Sequence, residues 1–293
     1  MKSYKSGFVN IIGKPNVGKS TLMNAMIGEK LSVITPKAQT TRHRILGFLS
    51  GDSYQIIFSD TPGVLQPHYK LHESMMKVID EALYDADLVL LMTTTDEEFD
   101  NEKIIDYLKE KEIPGLLLIN KVDQSDQDKV NQSIKKWEPV FGLENIIPLS
   151  ATLNFNIDLL KEKITDKLPE GEPYYDPEEL TDRPLRFFVA EMIRAKILNL
   201  YHKEVPYSVE VVIEEYKEEE NIDKIRAFIF VARESQKMII IGKQGKAIKK
   251  LGTEARKEIE SFVGKKVFLD LSVKVSKDWR NDLNQLKRFG YDL

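Results

Sequence analysis

The residues best suited to chemistry in this sequence form a loop of the kind that binds phosphate. Gly13-Lys-Pro-Asn-Val-Gly-Lys-Ser20 has the spacing G-x-x-x-x-G-K-[ST], in which glycines let backbone N–H groups point at phosphate oxygens. Lys19 would reach the β- and γ-phosphates of a nucleotide, and the Ser20 hydroxyl would be a ligand of Mg²⁺. The predicted nucleotide contacts are Gly13, Lys14, Pro15, Asn16, Val17, Gly18, Lys19 and Ser20.

A second motif, Asp60-Thr-Pro-Gly63, could serve the same nucleotide. An aspartate that follows a strand can hold Mg²⁺, usually through water, and the Gly63 N–H can reach the γ-phosphate. The tetrapeptide by itself is also an ordinary turn sequence. Together with the phosphate loop, it predicts nucleotide contacts from Asp60, Thr61, Pro62, Gly63 and Val64, with Asp60 as a metal ligand beside Ser20.

A third pair of motifs, Asn120-Lys-Val-Asp123 and Ser150-Ala151, predicts that the base is guanine. The Asp123 carboxylate can accept hydrogen bonds from the guanine N1–H and N2 amine, a pair of donors that adenine lacks. Sites built to hydrogen-bond a substrate group reject analogues without it by roughly 10⁴–10⁵. Asn120 would brace the neighbouring loops, and the Lys121 stem would lie over the base. A backbone N–H of Ser150-Ala151 would bind guanine O6.

Each of these motifs follows a short apolar segment that is expected to be a strand. The predicted strands are Phe8–Ile12, Tyr54–Ser59, Leu88–Met92, Gly115–Asn120 and Ile146–Leu149. The predicted helices between and after them are Ser20–Ile27, His72–Tyr84, Glu102–Lys111, Gln127–Phe141 and Ile157–Leu168. This alternation predicts an α/β domain with a mostly parallel sheet, in which ligands bind beyond the carboxyl ends of the strands.

The second half of the sequence has a different pattern and predicts a smaller α+β domain with its own sheet. Helical spacing covers Phe187–Leu200, residues 248–262 and Trp279–Phe289, and strand-like alternation covers Val209–Tyr216, Lys224–Ala232 and Val267–Val275. Within this half, Met238-Ile-Ile-Ile-Gly242-Lys-Gln-Gly245 joins an apolar run to a basic amphipathic helix.

The composition limits the classes of function that are open. The chain has 293 residues, no cysteine and a formal net charge of −4. Without cysteine, disulfides, thiolate metal sites and cysteine nucleophiles are excluded. Residues 183–293 nevertheless carry 23 basic and 17 acidic side chains, which favours a polyanionic ligand for that half, although an ordinary solvated surface would have the same composition.

Proline and acidic residues concentrate between the two halves. Proline removes backbone donors and acidic side chains resist burial, so we predict a linker at 170–183 between a domain at 1–169 and a domain at 184–293. No apolar stretch approaches the roughly 18 residues of a membrane-spanning helix. The chain also enters its first predicted strand at Phe8, which leaves no room for a signal peptide, so a cytoplasmic location is expected.

Taken in order, the motifs GKPNVGKS, QTTRH, DTPG, NKVD and SA resemble the five nucleotide-binding boxes of translation-factor-class GTPases. The resemblance implies GTP and GDP as ligands, with Mg²⁺. It also implies a first switch segment from Ile34 to Ile45 that is ordered by the γ-phosphate, and a second from Asp60 to about Met76. Thr41 is expected to complete the coordination of Mg²⁺, and Thr40 is the alternative.

The position that often holds a water-orienting glutamine in such GTPases is Val64. Valine cannot orient water or accept a proton, so intrinsic hydrolysis is expected to be slow, on the order of 10⁻⁴ s⁻¹ without a partner. In related GTPases an asparagine at the position of Asn16 helps to bind K⁺, which substitutes for an arginine finger. The alternative is that Asn16 only shapes the loop.

The segment around Gly242 and Gly245 resembles the G-x-x-G loop of a KH domain, which clamps the backbone of about four nucleotides of RNA. The glycines permit close approach of phosphate, and Ile240 and Ile241 would form the floor of the base groove. A helix cap on a soluble surface is the alternative. The expected RNA contacts are Ile241, Gly242, Lys243, Gln244, Gly245, Lys246, Lys249 and Lys250.

A GTPase domain followed by one KH domain resembles the Era family of bacterial ribosome-assembly GTPases over nearly the whole chain. The stretches KPNVGKSTL, KAQTTRHRI and IGKQGKAIK carry this resemblance. It implies binding near the 3′ end of 16S rRNA, a function in biogenesis of the small (30S) ribosomal subunit, and peripheral contact with the cell membrane in some members. We also expect a monomer.

Three other classes of protein are open from the sequence alone. A large-subunit assembly factor or an RNA-modifying GTPase would carry tandem GTPase domains or a C-terminal catalytic cysteine, and this sequence has neither. A constitutive RNA-binding regulator with a vestigial nucleotide site is disfavoured by intact Lys19, Ser20 and Asp60. A P-loop kinase is disfavoured by Asp123, and selectivity for GTP over ATP would separate it from a GTPase.

Overall fold

The structure is a computed structural model that describes residues 3–97 and 102–291, so the outer ends of both predicted domains, 1–2 and 292–293, lie outside the described residues. The chain divides into two compact units. The first comprises Met1–Gln66 and Met75–Asp182, and the second comprises Pro67–Ser74 and Arg183–Leu293.

The first unit contains a six-stranded sheet in the order β2-β3-β1-β4-β5-β6. Its strands are β1 (Lys5–Gly13), β2 (Ile45–Gly51), β3 (Tyr54–Asp60), β4 (Leu88–Thr94), β5 (Gly115–Asn120) and β6 (Ile146–Pro148). All neighbours are parallel except β2 and β3, which confirms the predicted α/β class. The sequence analysis missed β2, because Gly47 interrupts its apolar pattern. A Cβ on Gly47 would lie only 2.2 Å from Ile27 Cδ1, so the glycine lets the helix that follows the phosphate loop pack on this strand.

Five helices cover this sheet, and they bring the strand ends together around the phosphate loop. They are α1 (Lys19–Ile27), α2 (Lys70–Tyr84), α3 (Glu102–Glu110), α4 (Gln127–Phe141) and α5 (Ile157–Lys167). The central strands are buried on both faces, with Ile12, Val89, Leu91, Leu117 and Ile119 fully inaccessible. Near-continuous apolar strands are what a parallel sheet with two covered faces requires.

The stretch predicted as a linker lies against the first unit. Gln55 Oε1 on β3 accepts hydrogen bonds from the backbone N–H of Tyr174 (2.7 Å) and Tyr175 (3.0 Å). The Tyr175 ring stacks on Phe48 with 3.9 Å between centroids, and the Phe48 N–H donates to Leu180 O at 2.9 Å. The proline-rich composition of residues 170–183 disfavours regular structure. Backbone groups of this stretch nevertheless pair with β2, the edge strand of the sheet.

The second unit is built on a three-stranded sheet in the order β7-β8-β9, in which β7 and β8 are antiparallel and β8 and β9 are parallel. Its elements are α6 (Leu185–Leu200), β7 (Val209–Lys217), β8 (Asp223–Val231), α7 (Glu234–Ile241), α8 (Lys246–Val263), β9 (Val267–Val275) and α9 (Leu283–Arg288). This confirms a smaller α+β domain with a separate sheet.

In the second unit, one helix was not predicted and another is shorter than predicted. The apolar run before Gly242 ends a helix, α7, and the predicted helix Trp279–Phe289 is helical only over α9. Trp279 is fully buried and its Nε1–H donates to Ser208 O at 3.0 Å, so it fixes the turn that precedes α9. Within the described part of the chain, no helix is long and apolar enough to cross a membrane.

Candidate functional site

The phosphate loop connects β1 to α1, and its glycines are required by close approach of neighbouring groups. Gly18 caps α1 in the left-handed region, with φ 107°, and a Cβ there would lie 2.3 Å from Asn120 Nδ2. A Cβ on Gly13 would lie 2.3 Å from Met92 O. Asn16 also has a positive φ, of 65°, which asparagine tolerates better than most residues. The loop therefore turns its backbone N–H groups inward at the N-terminus of α1, where an anion is favoured.

Lys19 is buried beneath this loop. Its Nζ donates to Gly13 O at 3.0 Å and to Lys14 O at 2.9 Å. Burial lowers the pKa of Lys19 to about 8, against the raising effect of the Asp60 and Glu97 carboxylates. The ammonium is held at the centre of the loop, where the oxygens of a bound phosphate chain would replace these carbonyls as partners.

Three oxygen-bearing side chains meet beside Lys19. The Ser20 hydroxyl donates to Asp60 Oδ2 at 2.6 Å and lies 3.1 Å from the Thr41 hydroxyl, which is itself 3.3 Å from Asp60 Oδ2. Burial raises the pKa of Asp60, which is fully inaccessible, while the Ser20 hydrogen bond and the Lys19 charge oppose the rise. Hard oxygen ligands gathered around a buried carboxylate fit Mg²⁺.

The two candidate threonines of the first switch are placed differently. The Thr40 hydroxyl donates to Lys37 O at 2.6 Å and lies 2.6 Å from the Thr35 hydroxyl, so it stabilises the switch segment itself. Thr41 is the one beside Ser20 and Asp60. This geometry favours Thr41 as the ligand that responds to the γ-phosphate.

The Asp60-Thr-Pro-Gly63 motif is fixed to the end of β1, where the phosphate loop begins, by hydrogen bonds from Thr61 and from the residue that follows the motif. The Thr61 hydroxyl donates to Ile11 O at 2.8 Å, and the Val64 N–H donates to Gly13 O at 3.1 Å. A Cβ on Gly63 would lie 2.7 Å from the Pro15 ring, so only glycine lets the two loops approach. Pro62 is buried, and the Val64 side chain packs against the apolar core under β1 and β4.

At the predicted guanine end, Asn120 joins three loops. Its Nδ2 donates to Val17 O at 2.8 Å, and its Oδ1 accepts from the Ala151 N–H at 3.0 Å. Lys121 Nζ donates to Asn16 O at 2.7 Å, which lays its stem along the phosphate loop. The Asp123 side chain is exposed to solvent. Of the two backbone N–H groups of Ser150-Ala151, one of which is predicted to bind guanine O6, that of Ala151 donates to Asn120 and that of Ser150 donates to Phe155 O at 3.2 Å.

Two cavities lie at this end of the sheet. One of about 470 Å³ is lined by the phosphate loop, residues 33–41, Thr61, Gly63 and Lys121. The other, of about 560 Å³, is lined by Asp123, Ser150, Leu153 and Phe155 among others. The sequence analysis did not single out Leu153 and Phe155, which are 66% and 51% exposed. Their position in an asparagine-containing turn directly after Ser150-Ala151 could have drawn attention to them.

The glycine loop of the second unit runs from the end of α7 to the start of α8. Gly242 ends α7 with φ 72°, and Gly245 caps α8 with φ 73°. A Cβ on Gly242 would lie 2.5 Å from Ala247 Cβ, whereas a Cβ on Gly245 would meet nothing within 4 Å. Gln244, between them, is also left-handed, with φ 52°.

The side chains of this loop separate into an exposed basic set and a buried apolar one. Lys243, Lys246, Lys249 and Lys250 are all exposed along the first turns of α8, as is Gln244, and Ile241 is half-buried. Ile240 is fully buried, so the expectation that it forms the floor of a base groove is wrong; α7 turns it into the core, where Tyr201 Oη donates to its carbonyl at 2.9 Å. Met238 and Ile239 are the exposed apolar residues beside the loop, at 64% and 49%.

Comparison with known protein families identifies the two units separately. Residues 8–121 match the family model described as 50S ribosome-binding GTPase, and residues 204–280 match the KH domain. The GTPase Era of Thermoanaerobacter sp. (strain X514) is 46% identical over 292 residues, which cover 98% of this chain and 97% of that protein. The GTPase Era of Caldanaerobacter subterraneus subsp. tengcongensis is 44% identical, over 99% and 98% of the two chains.

Solved structures of the same family superpose on the whole chain. An Era crystal structure in complex with MgGDPNP and nucleotides 1506–1542 of 16S ribosomal RNA has a TM-score of 0.94 and 40% identity, and covers 99% of this chain and 100% of its own. A single-residue variant of Aquifex aeolicus Era bound to GDP and aluminium fluoride has a TM-score of 0.93 and 41% identity, with the same coverage.

Proposed function

Because the chain belongs to the Era family of GTPases, we propose that it binds 16S rRNA near its 3′ end through the glycine loop of its KH domain and acts in small-subunit biogenesis. GTP binding and hydrolysis control this activity as a switch, and hydrolysis acts as a timer for release of the protein. The observation that carries the proposal is the presence, in one chain, of a complete nucleotide loop and a KH loop bordered by exposed lysines.

The nucleotide contacts of this GTPase follow from the geometry at the phosphate loop. Lys19 would neutralise the β- and γ-phosphates, and the α1 N-terminus would add its partial positive charge. Ser20, Thr41 and Asp60 would hold Mg²⁺, which would supply positive charge to stabilise the negative charge on the phosphates. Because Thr41 belongs to the first switch, loss of the γ-phosphate would release that segment.

Intrinsic hydrolysis should be slow, because no polar side chain occupies the place of the water-orienting glutamine. Val64 is aliphatic and packs into the apolar core, and its N–H is bonded to Gly13 O. Catalysis then depends on positioning and on charge supplied by Lys19 and Mg²⁺ until a partner or cation completes the site.

K⁺ bound with the help of Asn16 is one cation that would complete the site. An increase in turnover with K⁺ over Na⁺ that Asn16→Ala abolishes is the expected result; equal rates in the two salts would leave Asn16 as a residue that only shapes the loop.

The RNA contact is proposed at the start of α8. Gly242 and Gly245 bring the backbone to the surface at the helix N-terminus, where phosphate is favoured. The exposed side chains of Lys243, Lys246 and Lys249 extend a positive track from that point. Exposed Met238 and Ile239, on the other side of the loop, could contact bases.

The test is the affinity for a short RNA of the 16S 3′ end, measured at fixed salt in GTP-analogue and GDP states. We expect tight binding that depends on the nucleotide. Tight binding indifferent to nucleotide would retain the target but contradict the switch. Binding no better than to a scrambled RNA would contradict the proposed target.

A matched pair of variants locates the RNA contact. Gly245 and Gly264 bound α8, both are left-handed (φ 73° and 68°), and a Cβ on either would meet nothing within 4 Å. Gly245→Asp adds a negative charge at the proposed phosphate position and strains a left-handed backbone, as the same change does at Gly264. Gly264→Asp adds the same charge at the other end of the helix. RNA affinity should fall for Gly245→Asp and stay close to wild type for Gly264→Asp; equal losses would remove the loop from the interface.

A monomeric state and peripheral membrane contact are separate proposals, and the basic surface supports only the second. Exposed lysines on α8 would attract anionic lipid, with a strong dependence on salt. Sedimentation of the purified protein tests the first proposal. Flotation with vesicles that contain anionic lipid, at low and at physiological salt, tests the second, and recovery of all the protein without vesicles at both salts would contradict it.

A further inference from the structure

A network of polar side chains lies in the first unit, outside the nucleotide contacts described above. The Arg44 guanidinium contacts both oxygens of Asp85, through Nη1 at 2.5 Å and Nη2 at 2.8 Å. Its Nε donates to the Ser59 hydroxyl at 2.6 Å, and Nη2 also donates to Asn10 Oδ1 at 3.1 Å. Asn10 Nδ2 in turn donates to Asp85 Oδ1 at 3.1 Å and to the Ala82 carbonyl.

The network joins the end of α2 to three segments that lead to the nucleotide site. Arg44 follows Thr41 by three residues, at the end of the first switch. Ser59 directly precedes Asp60, and Asn10 lies on β1 shortly before the phosphate loop. Asp85 stands at the C-terminal end of α2, where its N–H donates to Glu81 O at 3.2 Å. The end of the first switch and the C-terminal end of α2, the helix that begins within the second switch, are therefore held to β1 and β3.

The surroundings make this a strong set of contacts. Asn10 and Ser59 are fully buried, and the Arg44 and Asp85 side chains are 17% and 38% exposed. A bidentate pair of guanidinium and carboxylate is stronger and geometrically more specific than a single hydrogen bond. The positive charge also lies near the C-terminus of α2, where the helix dipole favours it. Lysine could not reproduce the fork, because it offers one compact ammonium.

We propose that Arg44 is a positioning residue for the GTP-bound state, which fixes the end of the first switch so that Thr41 reaches the metal beside Asp60. An extended chain of three residues spans at most about 11 Å, so a fixed Arg44 confines Thr41 to a small volume around the site. Without this anchor, the switch would have to be ordered along more of its length each time GTP binds. The anchor therefore favours GTP over GDP, because only the γ-phosphate state uses Thr41. This inference rests on the proposed function of Thr41 as a Mg²⁺ ligand.

The test compares Arg44→Gln, Asp85→Asn and Lys111→Gln in the full chain with Mg²⁺. Lys111 is the control, since it is an exposed lysine of the same unit whose Nζ lies 3.4 Å from a Glu110 carboxylate oxygen. We expect Arg44→Gln to lower affinity for a GTP analogue about tenfold, within the usual range of coupling between sites, and to change GDP affinity less than about twofold. In the GTP-analogue state, hydrogen–deuterium exchange of residues 34–41 should be faster in Arg44→Gln than in the wild-type protein. Lys111→Gln should match the wild type in affinity and in exchange.

Asp85→Asn keeps the shape of the side chain and removes the charge, so it repeats the test if Arg44→Gln folds poorly. The double variant should lose little beyond Arg44→Gln, because both changes break the same contact. Equal weakening of GTP-analogue and GDP binding would show a purely structural contact and overturn the inference, and so would unchanged binding of both. Thr41→Ala separates the premise from the inference. If Thr41→Ala does not selectively weaken GTP-analogue binding, the assignment of Thr41 as a Mg²⁺ ligand is wrong. If Thr41→Ala weakens it selectively and Arg44→Gln does not, only the positioning function of Arg44 is wrong.

Discussion

The phosphate loop of the first unit and the glycine loop of the second use the same backbone device in opposite surroundings. Both end in a left-handed glycine that caps a helix, Gly18 before α1 and Gly245 before α8. The first loop is closed in by its neighbours: Asn120 Nδ2 donates to Val17 O, and Lys19 is buried beneath the loop. The second stands at the surface, bordered by exposed lysines.

This difference in surroundings indicates a difference in ligand. A loop whose every neighbour is fixed can recognise one small molecule in one pose, because any misfit leaves buried polar groups without partners. An exposed loop with a helix N-terminus and exposed lysines can contact a polymer backbone, whose phosphates repeat and whose bases vary. The same glycine turn therefore supports selectivity in one unit and charge-driven affinity in the other.

The largest expected effect tests the selectivity of the nucleotide site, at Asp123 in the loop that follows β5. Asp123→Asn replaces an acceptor of the guanine N1–H and N2 amine with a side chain that can donate to a xanthine carbonyl. The preference for GTP over XTP should then change by a factor on the order of 10⁴. Competition between the two nucleotides for wild type and variant measures it, and Asp123 is exposed, so stability should not change. Unchanged GTP affinity would remove Asp123 from the base contact.

The next effect compares the two capping glycines directly. Gly18→Ala places a Cβ 2.3 Å from Asn120 Nδ2 at φ 107°, so it should weaken GDP binding on the order of 100-fold through strain at the loop. Gly245→Ala meets no atom within 4 Å and should cost only the left-handed backbone, about 1 kcal/mol of stability.

The readout for this pair is a titration of each variant with GDP and with RNA, together with its thermal midpoint. We expect RNA affinity of Gly245→Ala to fall less than about tenfold, since a methyl group at an open position leaves the charges in place. A loss for Gly245→Ala as large as that for Gly18→Ala would show that the second loop is as closely fitted to its ligand as the first.

A smaller effect follows from the salt dependence of charge-driven binding. If Lys243, Lys246, Lys249 and Lys250 each neutralise one phosphate, RNA affinity should fall about 50-fold between 50 and 200 mM salt. Replacing Lys249 with Gln should reduce the slope of log affinity against log salt by about 0.7. An RNA affinity that is insensitive to salt would show that base contacts, for instance to Met238 and Ile239, dominate.

The nucleotide end of the molecule could be predicted from sequence more fully than the RNA end, for a physical reason. The phosphate loop, Asp60 and Asn120 follow apolar strands whose burial on both faces leaves a plain pattern, so their meeting at one edge follows from the topology. The run Met238–Ile241 is too short for periodicity to separate a strand from a helix, so Ile240 was assigned to the surface although α7 buries it. The contact of Tyr175 with Phe48 and the Arg44 network join residues distant in sequence, and no local pattern reports them.

The smallest expected effect tests the electrostatic consequence of burial in the first loop. Burial lowers the pKa of Lys19 to about 8 from 10.5, and phosphate needs the ammonium form. The contribution of Lys19 to GDP affinity should therefore be at its maximum below pH 8. GDP affinity should decline as the pH rises above 8, by at most about tenfold per pH unit. The stability of the ligand-free protein has the opposite dependence. Between about pH 8 and 10.5 the unfolded chain holds more protons on this lysine, so the contribution of Lys19 to stability rises with pH. Calorimetric titration with GDP from pH 7 to about 9.5 measures the effect, and the weak binding of Lys19→Met should lack it. A GDP affinity of the wild-type protein that does not change with pH would mean that burial of the phosphate loop does not lower the pKa of Lys19. The two loops would then differ in geometry but not in the charge of a buried lysine.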